Sequence, residues 1–189
     1  MGERASHSVE RTAAFVDGPL FVDGTRGLGL AMDLDLPALL AELAGSAELV
    51  AVYYVASISS PQVYPERSRN DESLVERLAE QGIRVRRCPV AVAGHVTVQK
   101  GMEAELATAL LRGAALDEYD IALLLSNRPE LAPPVEVVRQ LGKKVSLRFY
   151  EYQARPGNPL SDKVDDYAAL ELDQVVRHSA SGRRPMYAY

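Results

Sequence analysis

Three carboxylates stand where apolar segments of the chain end or where helical ones begin. Asp17 closes the first apolar run, Glu103 lies at the start of a long helical pattern, and Glu130 follows the fourth apolar run. Carboxylates that are brought together repel each other, and a hard cation such as Mg²⁺ or Mn²⁺ relieves that repulsion. A cation held there can activate water and neutralise a phosphodiester during hydrolysis. The three residues therefore predict metal-dependent phosphodiester cleavage, with helix caps and solvated turns as the alternative interpretation.

The elements that must position these carboxylates alternate along the chain. Five short apolar runs, rich in Val, Ile or Tyr, indicate strands that are covered on both faces, as in a parallel sheet. The runs are 13–16, 49–55, 83–88, 121–125 and 145–150. Helical patterns lie at 35–45, 71–82, 102–116, 131–141 and from 161 or 162 to about 178. This alternation predicts a three-layer α/β domain with a mostly parallel sheet of about five strands.

Other segments are predicted to lie outside this pattern. Residues 24–29 contain glycines at three positions and indicate a flexible loop, and residues 57–70 indicate an irregular one. Residues 91–98 alternate around Gly94 and predict a small hairpin. Residues 1–11 and 179–189 are predicted to be tails, of which the first is flexible, so that the domain itself spans 12–178.

Composition limits the classes of partner. The chain has 189 residues with 21 Lys and Arg against 26 Asp and Glu, so its net charge is −5. A mildly acidic protein binds nucleic acid only through a local basic patch. No stretch approaches the ~18–20 apolar residues of a membrane span, and the N-terminus lacks an apolar signal core. We therefore expect a cytoplasmic domain with no membrane association, and we expect its one cysteine, Cys88, to be a buried thiol.

Basic and aromatic side chains near the predicted strand ends offer such a local patch. Tyr53, Tyr54 and Tyr64 can present surfaces on which bases stack. Basic residues around them can contact phosphates. These basic residues are Arg67, Arg69, Arg84, Arg86, Arg87, Lys100 and Arg128. The alternatives are that the charges pair with the many acids and that the tyrosines face the core.

Six segments, in this order, resemble the NYN family, a branch of the PIN-like nuclease superfamily, over roughly residues 12–177. The resemblance implies a PIN-like α/β/α sandwich and, in active members, metal-dependent RNA cleavage by a cluster of aspartates. The segments are Phe15-Val16-Asp17-Gly18, Tyr53-Tyr54, Lys100-Gly101-Met102-Glu103, Tyr119 to Ser126, Leu141-Gly142-Lys143-Lys144-Val145, and Leu160 to Asp166.

The match to the family's acidic positions is uneven. Asp17 matches the first aspartate, but the asparagine expected shortly after it is absent. Glu103 replaces the aspartate of a Lys-Gly-x-Asp motif, and Ala109 stands where a further aspartate is often found. A Ser-Gly-Asp-x-Asp-Phe motif is represented by residues 126–131, so that its two aspartates become Arg128 and Glu130.

Arg128 is the departure with the largest physical consequence. It places a permanent positive charge where the family has a negative one, inside the expected metal site. Its guanidinium can pair with Asp17 or Glu130 and take the place of a cation. We therefore predict weakened or absent binding of Mg²⁺ or Mn²⁺.

Two hypotheses about function follow. In the first, the acidic site is eroded, and the domain binds RNA or a protein partner, such as a second copy of itself, with weak or no cleavage. In the second, it is an active ribonuclease that uses Asp17, Glu103 and Glu130 as metal ligands. Lys100 would then lie near the scissile phosphate, while Ser126, Asn127 and Arg128 would contact the substrate. A third hypothesis, that the protein is a small-molecule phosphotransferase, is supported by Asp17 alone.

Overall fold

Six parallel strands form the central sheet of the chain, which the computed structural model describes over residues 9–88, 90–93, 96–154 and 156–180. The order across the sheet is third, second, first, sixth, seventh and eighth strand, and every neighbouring pair is parallel. The fourth and fifth strands pair with each other as a separate antiparallel hairpin. The strands are β1 (Arg11–Asp17), β2 (Glu48–Ser57), β3 (Arg84–Cys88), β4 (Val90–Ala93), β5 (Val96–Gln99), β6 (Ile121–Leu125), β7 (Lys144–Phe149) and β8 (Asp166–Ala169).

Helices cover both faces of this sheet. They are α1 (Gly18–Gly27), α2 (Leu36–Ala44), α3 (Pro65–Glu80), α4 (Met102–Ala115), α5 (Ala132–Gln140) and α6 (Leu172–Arg177). Alternation along β1 sends Phe15 into a core shared with α4 and α5, and sends Val16 into a core shared with the other helices. The predicted three-layer α/β fold is therefore confirmed.

The sheet has one strand more than predicted, and the last predicted helix is wrong. Residues 161–178 form a short 3-10 turn, strand β8 and the six-residue helix α6 instead of one long helix. Strand β8 lies at the edge of the sheet with three of its four residues exposed, and its short apolar segment lacks the Val and Ile residues that favour a strand. It is held by pairing with β7, and the Asp165 carboxylate accepts a hydrogen bond from the Val145 amide at 2.8 Å.

Parts of two segments predicted as loops are helical. Helix α3 begins at Pro65, six residues before the predicted start at Asp71, because proline fits the first turn of a helix. Its first two turns are polar, so the apolar pattern becomes visible only at Leu74. Helix α1 covers residues 18–27, and its Gly24 is required because a Cβ there would overlap the ring of Tyr150.

Several other predictions can be placed. The hairpin of β4 and β5 is present, although Gly94 between the two strands lies outside the described residues. Residues 1–8 and 181–189 also lie outside them, so the two tails stay predictions. The Cys88 thiol is buried, and burial raises its pKa. In the described part of the chain, no helix is both long and apolar enough to cross a bilayer.

Candidate functional site: an arginine between two carboxylates

The site lies at the carboxyl edge of the sheet, where β1 and β6 end side by side. Val16 pairs with Leu125, so the next residues along the two strands, Asp17 and Ser126, come together. Crevices at this edge are where open α/β sheets bind ligands. Both residues are fully buried, since their exposed fraction is 0%.

Asp17 accepts hydrogen bonds with both carboxylate oxygens. Its Oδ1 accepts from the Leu20 amide at 3.4 Å and so caps helix α1. Its Oδ2 accepts from Ser126 Oγ at 3.4 Å and from Arg128 Nε at 2.5 Å. Helix α1 can begin directly after Asp17 because Gly18 has no side chain. A Cβ there would lie 2.6 Å from the Tyr54 ring. Asp17 is thus both a helix cap and a buried anion with an arginine as its counter-ion.

Arg128 joins two carboxylates from different elements. Besides its bond to Asp17, its Nη1 donates to Oε1 of Glu103, which lies in the first turn of α4. The Arg128 side chain is 23% exposed. Burial disfavours its charge, but the hydrogen bond to Asp17 and the attraction of both carboxylates outweigh burial, so the pKa of Arg128 is raised. Arg128 therefore points into the acidic site, as a fixed positive charge.

Glu130 does not join this pair. It is the exposed residue of a 3-10 turn, Pro129–Leu131, at the rim of a crevice that Asp17 and Arg128 also line. The prediction that Arg128 pairs with Asp17 is confirmed, and Glu103 takes the place that the prediction offered to Glu130. Among the described residues, no group of three or more His, Cys, Asp or Glu side chains is arranged to hold a metal ion.

Of the other predicted site residues, Ser126 lies within the site and Lys100 at its margin. The Ser126 hydroxyl accepts a hydrogen bond from the Arg128 amide at 3.3 Å and holds that loop close to Asp17. Lys100 is exposed between β5 and α4. Asn127 is turned to the loop behind the site, where its Nδ2 donates to the Gln153 carbonyl at 2.8 Å.

Gln153 and Asn158 support the site from behind and were not predicted. Asn158 Nδ2 donates to the Asn127 carbonyl at 2.8 Å, and Gln153 Nε2 donates to the Leu20 carbonyl at 3.1 Å. These bonds connect the segment after β7 to helix α1, which follows Asp17, and to the loop that carries Arg128. Nothing in the sequence marks the two residues, because their partners are backbone atoms distant in the chain.

A divalent metal does not fit the residues as they stand. The position between Asp17 and Glu103 is filled by the guanidinium, which neutralises both carboxylates. Mg²⁺ needs oxygen ligands at about 2.0–2.1 Å in near-octahedral geometry. The arginine and such an ion cannot occupy that position together.

The basic and aromatic residues divide into two groups. Arg84 donates to the Tyr53 hydroxyl at 2.5 Å, and Arg87 pairs with Glu72 at 2.8 Å. By contrast, Arg67, Arg69 and Lys100 form no salt bridge with any residue that the structure describes. Tyr53 and Tyr54 are buried, so of the two interpretations the one in which they face the core holds, whereas Tyr64 is 40% exposed. Of these three tyrosines, Tyr64 is the one with an exposed ring, and it lies directly before α3.

Comparison with known proteins agrees with this architecture. The sequence matches the NYN domain over residues 11–171. A crystal structure of a protein of unknown function from Vibrio parahaemolyticus is similar, with a TM-score of 0.67 at 18% identity. The similarity covers 89% of this chain and 97% of that one.

Two further solved structures match with lower scores. MurG of Acinetobacter baumannii has a TM-score of 0.41 at 14% identity over 85% of this chain and 41% of its own. A putative UDP-N-acetylglucosamine 2-epimerase of Listeria monocytogenes has a TM-score of 0.42 at 12% identity over 94% and 44%. No curated protein matches the sequence.

Proposed function

The chain belongs to the NYN domain family and has its PIN-like, nuclease-type fold, and from that premise we propose that it binds RNA at the carboxyl edge of its sheet with weak or no cleavage. The observation that carries the proposal is the placement of Arg128 between Asp17 and Glu103. Cleavage in this family depends on a divalent metal among aspartates. Here an internal cation occupies that position.

The substitution changes what the edge of the sheet can do. A metal ion exchanges ligands and can bring a water molecule to a phosphate, whereas a guanidinium holds no water for attack and cannot lose its proton at ordinary pH. Arg128 therefore supports structure and charge balance, and supplies no nucleophile. The fold, the crevice and the neighbouring cations are retained.

Positive charge near the site supports RNA as the ligand. Arg67 and Arg69 lie in the first turns of α3, close to the end of β2, and Lys100 lies just before α4. None of the three forms a salt bridge within the described residues, although the chain as a whole is acidic. Cations that no carboxylate neutralises are the groups that contact phosphates. A protein partner or a second copy of the chain is the alternative occupant of the same edge.

The test compares wild type with Arg128→Asp, which restores the family's acidic residue. Labelled single-stranded and structured RNAs are incubated with Mg²⁺ or Mn²⁺, and binding and cleavage are both measured. We expect wild type to bind RNA without cutting it, and Arg128→Asp to gain metal binding and cleavage. Arg112→Asp is the matched control, because it makes the same charge change at an exposed arginine of α4 outside the proposed binding edge.

Each other outcome contradicts a part of the proposal. Cleavage by wild type that vanishes in Asp17→Ala would show an active ribonuclease with Asp17, Glu103 and Glu130 as ligands. A wild-type Mg²⁺ site of about millimolar affinity or better, lost in Asp17→Ala, would overturn the exclusion of metal by Arg128. Absence of RNA binding in wild type would leave the protein partner as the function. Thermal melts of each variant show that it is folded.

A further inference from the structure

A second feature of the carboxyl edge is a cavity of about 460 Å³ beside the Arg128 site. It lies between the start of α1, the end of β2, helix α3 and the hairpin of β4 and β5. This volume falls within the range of about 300–1,000 Å³ that is typical of small-ligand sites. Arg128 lines its inner end, so a ligand in the cavity would lie next to the site described above.

The floor of the cavity is apolar. It is formed by Ala56 and Val75, which are both buried, together with Val22 and Leu74. On the opposite side, the hairpin contributes Val98, which is 43% exposed. A flat apolar group between these two surfaces would remove both from water. Apolar side chains therefore line two sides of a cavity that also contains polar and charged groups, and this combination suits a ring with polar substituents.

Tyr64 places an aromatic ring at the rim of this cavity. It immediately precedes α3 and is 40% exposed. Base–aromatic stacking is tolerant of sequence, because every nucleobase has a π-face. The exposed ring together with the apolar floor gives a base two surfaces to contact.

Arg67 adds a positive charge to the same rim. It lies in the first turn of α3, three residues after Tyr64, and both residues line the cavity. Arg67 lines the cavity and forms no salt bridge in the described part of the chain. One ligand can therefore meet an aromatic ring and a guanidinium at once, as a base and its phosphate require.

Asp71 shapes the wall between these groups and the floor. Its Oδ2 accepts hydrogen bonds from the Ser59 amide at 3.0 Å and from the Ser59 hydroxyl at 2.7 Å. These bonds fix the loop after β2 against α3, so the wall of the cavity is built before any ligand arrives. Asp71 also lines the cavity, and a carboxylate is an acceptor suited to a ribose hydroxyl.

We propose that this cavity is a nucleotide subsite, in which a base packs on Tyr64 and the apolar floor while its phosphate meets Arg67. The assignment to RNA rests on the proposed function, and a free mononucleotide offers the same chemistry. Only a base that is not paired or stacked in a duplex can enter the cavity. The subsite therefore selects single-stranded RNA over a duplex of the same sequence.

The experiment uses two probes, namely AMP or UMP and a single-stranded oligonucleotide with its duplex as comparison. Binding is measured for wild type, Tyr64→Ala, Tyr64→Phe and Arg67→Ala. We expect Tyr64→Ala to weaken binding of the single strand about tenfold and Tyr64→Phe to restore it. Tyr167→Ala is the matched control, since Tyr167 is exposed but does not line the cavity.

The mononucleotide arm isolates the cavity from the rest of the edge. There, Arg67→Ala should abolish binding, whereas Arg77→Ala, further along α3 and outside the cavity lining, should leave it unchanged. Binding of the mononucleotide but not of the oligonucleotide would support the subsite with a free nucleotide as its ligand, and would contradict RNA binding.

The reverse outcomes separate the subsite from the proposed function. If the single strand binds and its affinity falls in Lys100→Ala but not in Tyr64→Ala or Arg67→Ala, the subsite is wrong and RNA binding stands. If strand and duplex bind equally well, the base does not enter the cavity and the subsite is wrong. If wild type binds neither probe, both proposals fail.

Discussion

The two edges of the sheet carry arginines that each bridge two carboxylates, yet their surroundings differ. At the amino edge, Arg11 binds Asp120 through its Nε at 3.1 Å and its Nη2 at 2.9 Å, and pairs with Asp117 at 3.4 Å. All of these side chains are at least one-third exposed. At the carboxyl edge, Arg128 bridges Asp17, which has no exposed surface, and Glu103.

The difference teaches where charge stabilises the fold and where it is available for binding. At the amino edge, Lys143 and Lys144 are paired as well, with Asp117 and Glu10. At the carboxyl edge, one cation is locked to a buried anion, while Arg67, Arg69 and Lys100 lack salt bridges among the described residues. A surface whose charges are already matched has little to offer a charged ligand. We therefore expect a charged ligand to bind at the carboxyl edge rather than at the amino edge.

The largest effect should come from removing Arg128. Arg128→Ala leaves the Asp17 carboxylate buried without a counter-ion, and breaking a buried pair in this way costs about 3–5 kcal/mol. Because the guanidinium is 23% exposed, we expect a loss of about 2–4 kcal/mol in the free energy of unfolding. Arg11→Ala should lose clearly less. Urea denaturation of the two variants at low salt makes the comparison.

A double variant checks the cause of that loss. Arg128→Met combined with Asp17→Asn removes both charges, so much of the stability lost in Arg128→Met alone should return. Equal losses in Arg128→Ala and Arg11→Ala would mean that burial of Asp17 is not what separates the two edges.

The second-largest effect should be a loss of RNA affinity together with a weaker dependence of that affinity on salt. Replacing Arg67, Arg69 and Lys100 with Ala should weaken binding of single-stranded RNA. It should also reduce the slope of log affinity against log salt by ~0.7 for each phosphate that the variant no longer neutralises. A triple variant of Arg112, Lys163 and Lys144, which are all salt-bridged, changes the net charge equally and should keep the slope. Equal slopes in both triple variants would show that overall charge, not the carboxyl edge, governs binding.

The sequence predicts the layered core well because each core strand can be recognised from the apolar residues within it. Strands β1, β2 and β6 contain continuous apolar runs, which favour a strand covered on both faces. Strand β8 and the first half of α3 lack that signal, because their side chains are mostly exposed. Their positions depend on hydrogen bonds to β7 and on Pro65, which an apolar pattern does not register.

The site is predictable in its residues but not in all of its partners. Motif and charge identify Asp17 and Arg128, and they also predict the bond between the two. The choice of Glu103 over Glu130 as the second partner depends on the 3-10 turn at Pro129, which leaves Glu130 exposed. Tyr64 in turn cannot be placed at the cavity until α3 is known to begin at Pro65.

The smallest effect is a pH dependence at the amino edge. The hydrogen bonds from Arg11 lower the pKa of Asp120 from 3.8 to about 2. A carboxyl whose pKa is lower in the folded state stabilises the fold above its unfolded pKa, and this contribution is lost as the pH falls through the folded value. Asp120→Asn lacks that contribution. The difference in unfolding free energy between wild type and Asp120→Asn should therefore be constant above about pH 5 and shrink between about pH 4 and 2.

Denaturant titrations at pH 7, 4 and 2.5 measure this difference, with Asp162→Asn as the control. The Asp162 carboxylate forms no salt bridge with any described residue, so its replacement should shift stability little. A difference for Asp120 that is as large at pH 2.5 as at pH 7 would mean that Arg11 holds this edge by packing and backbone contacts. The stability of the amino edge would then come from groups that do not titrate. The two arginines would in that case differ because Arg128 pairs with a buried carboxylate and Arg11 does not.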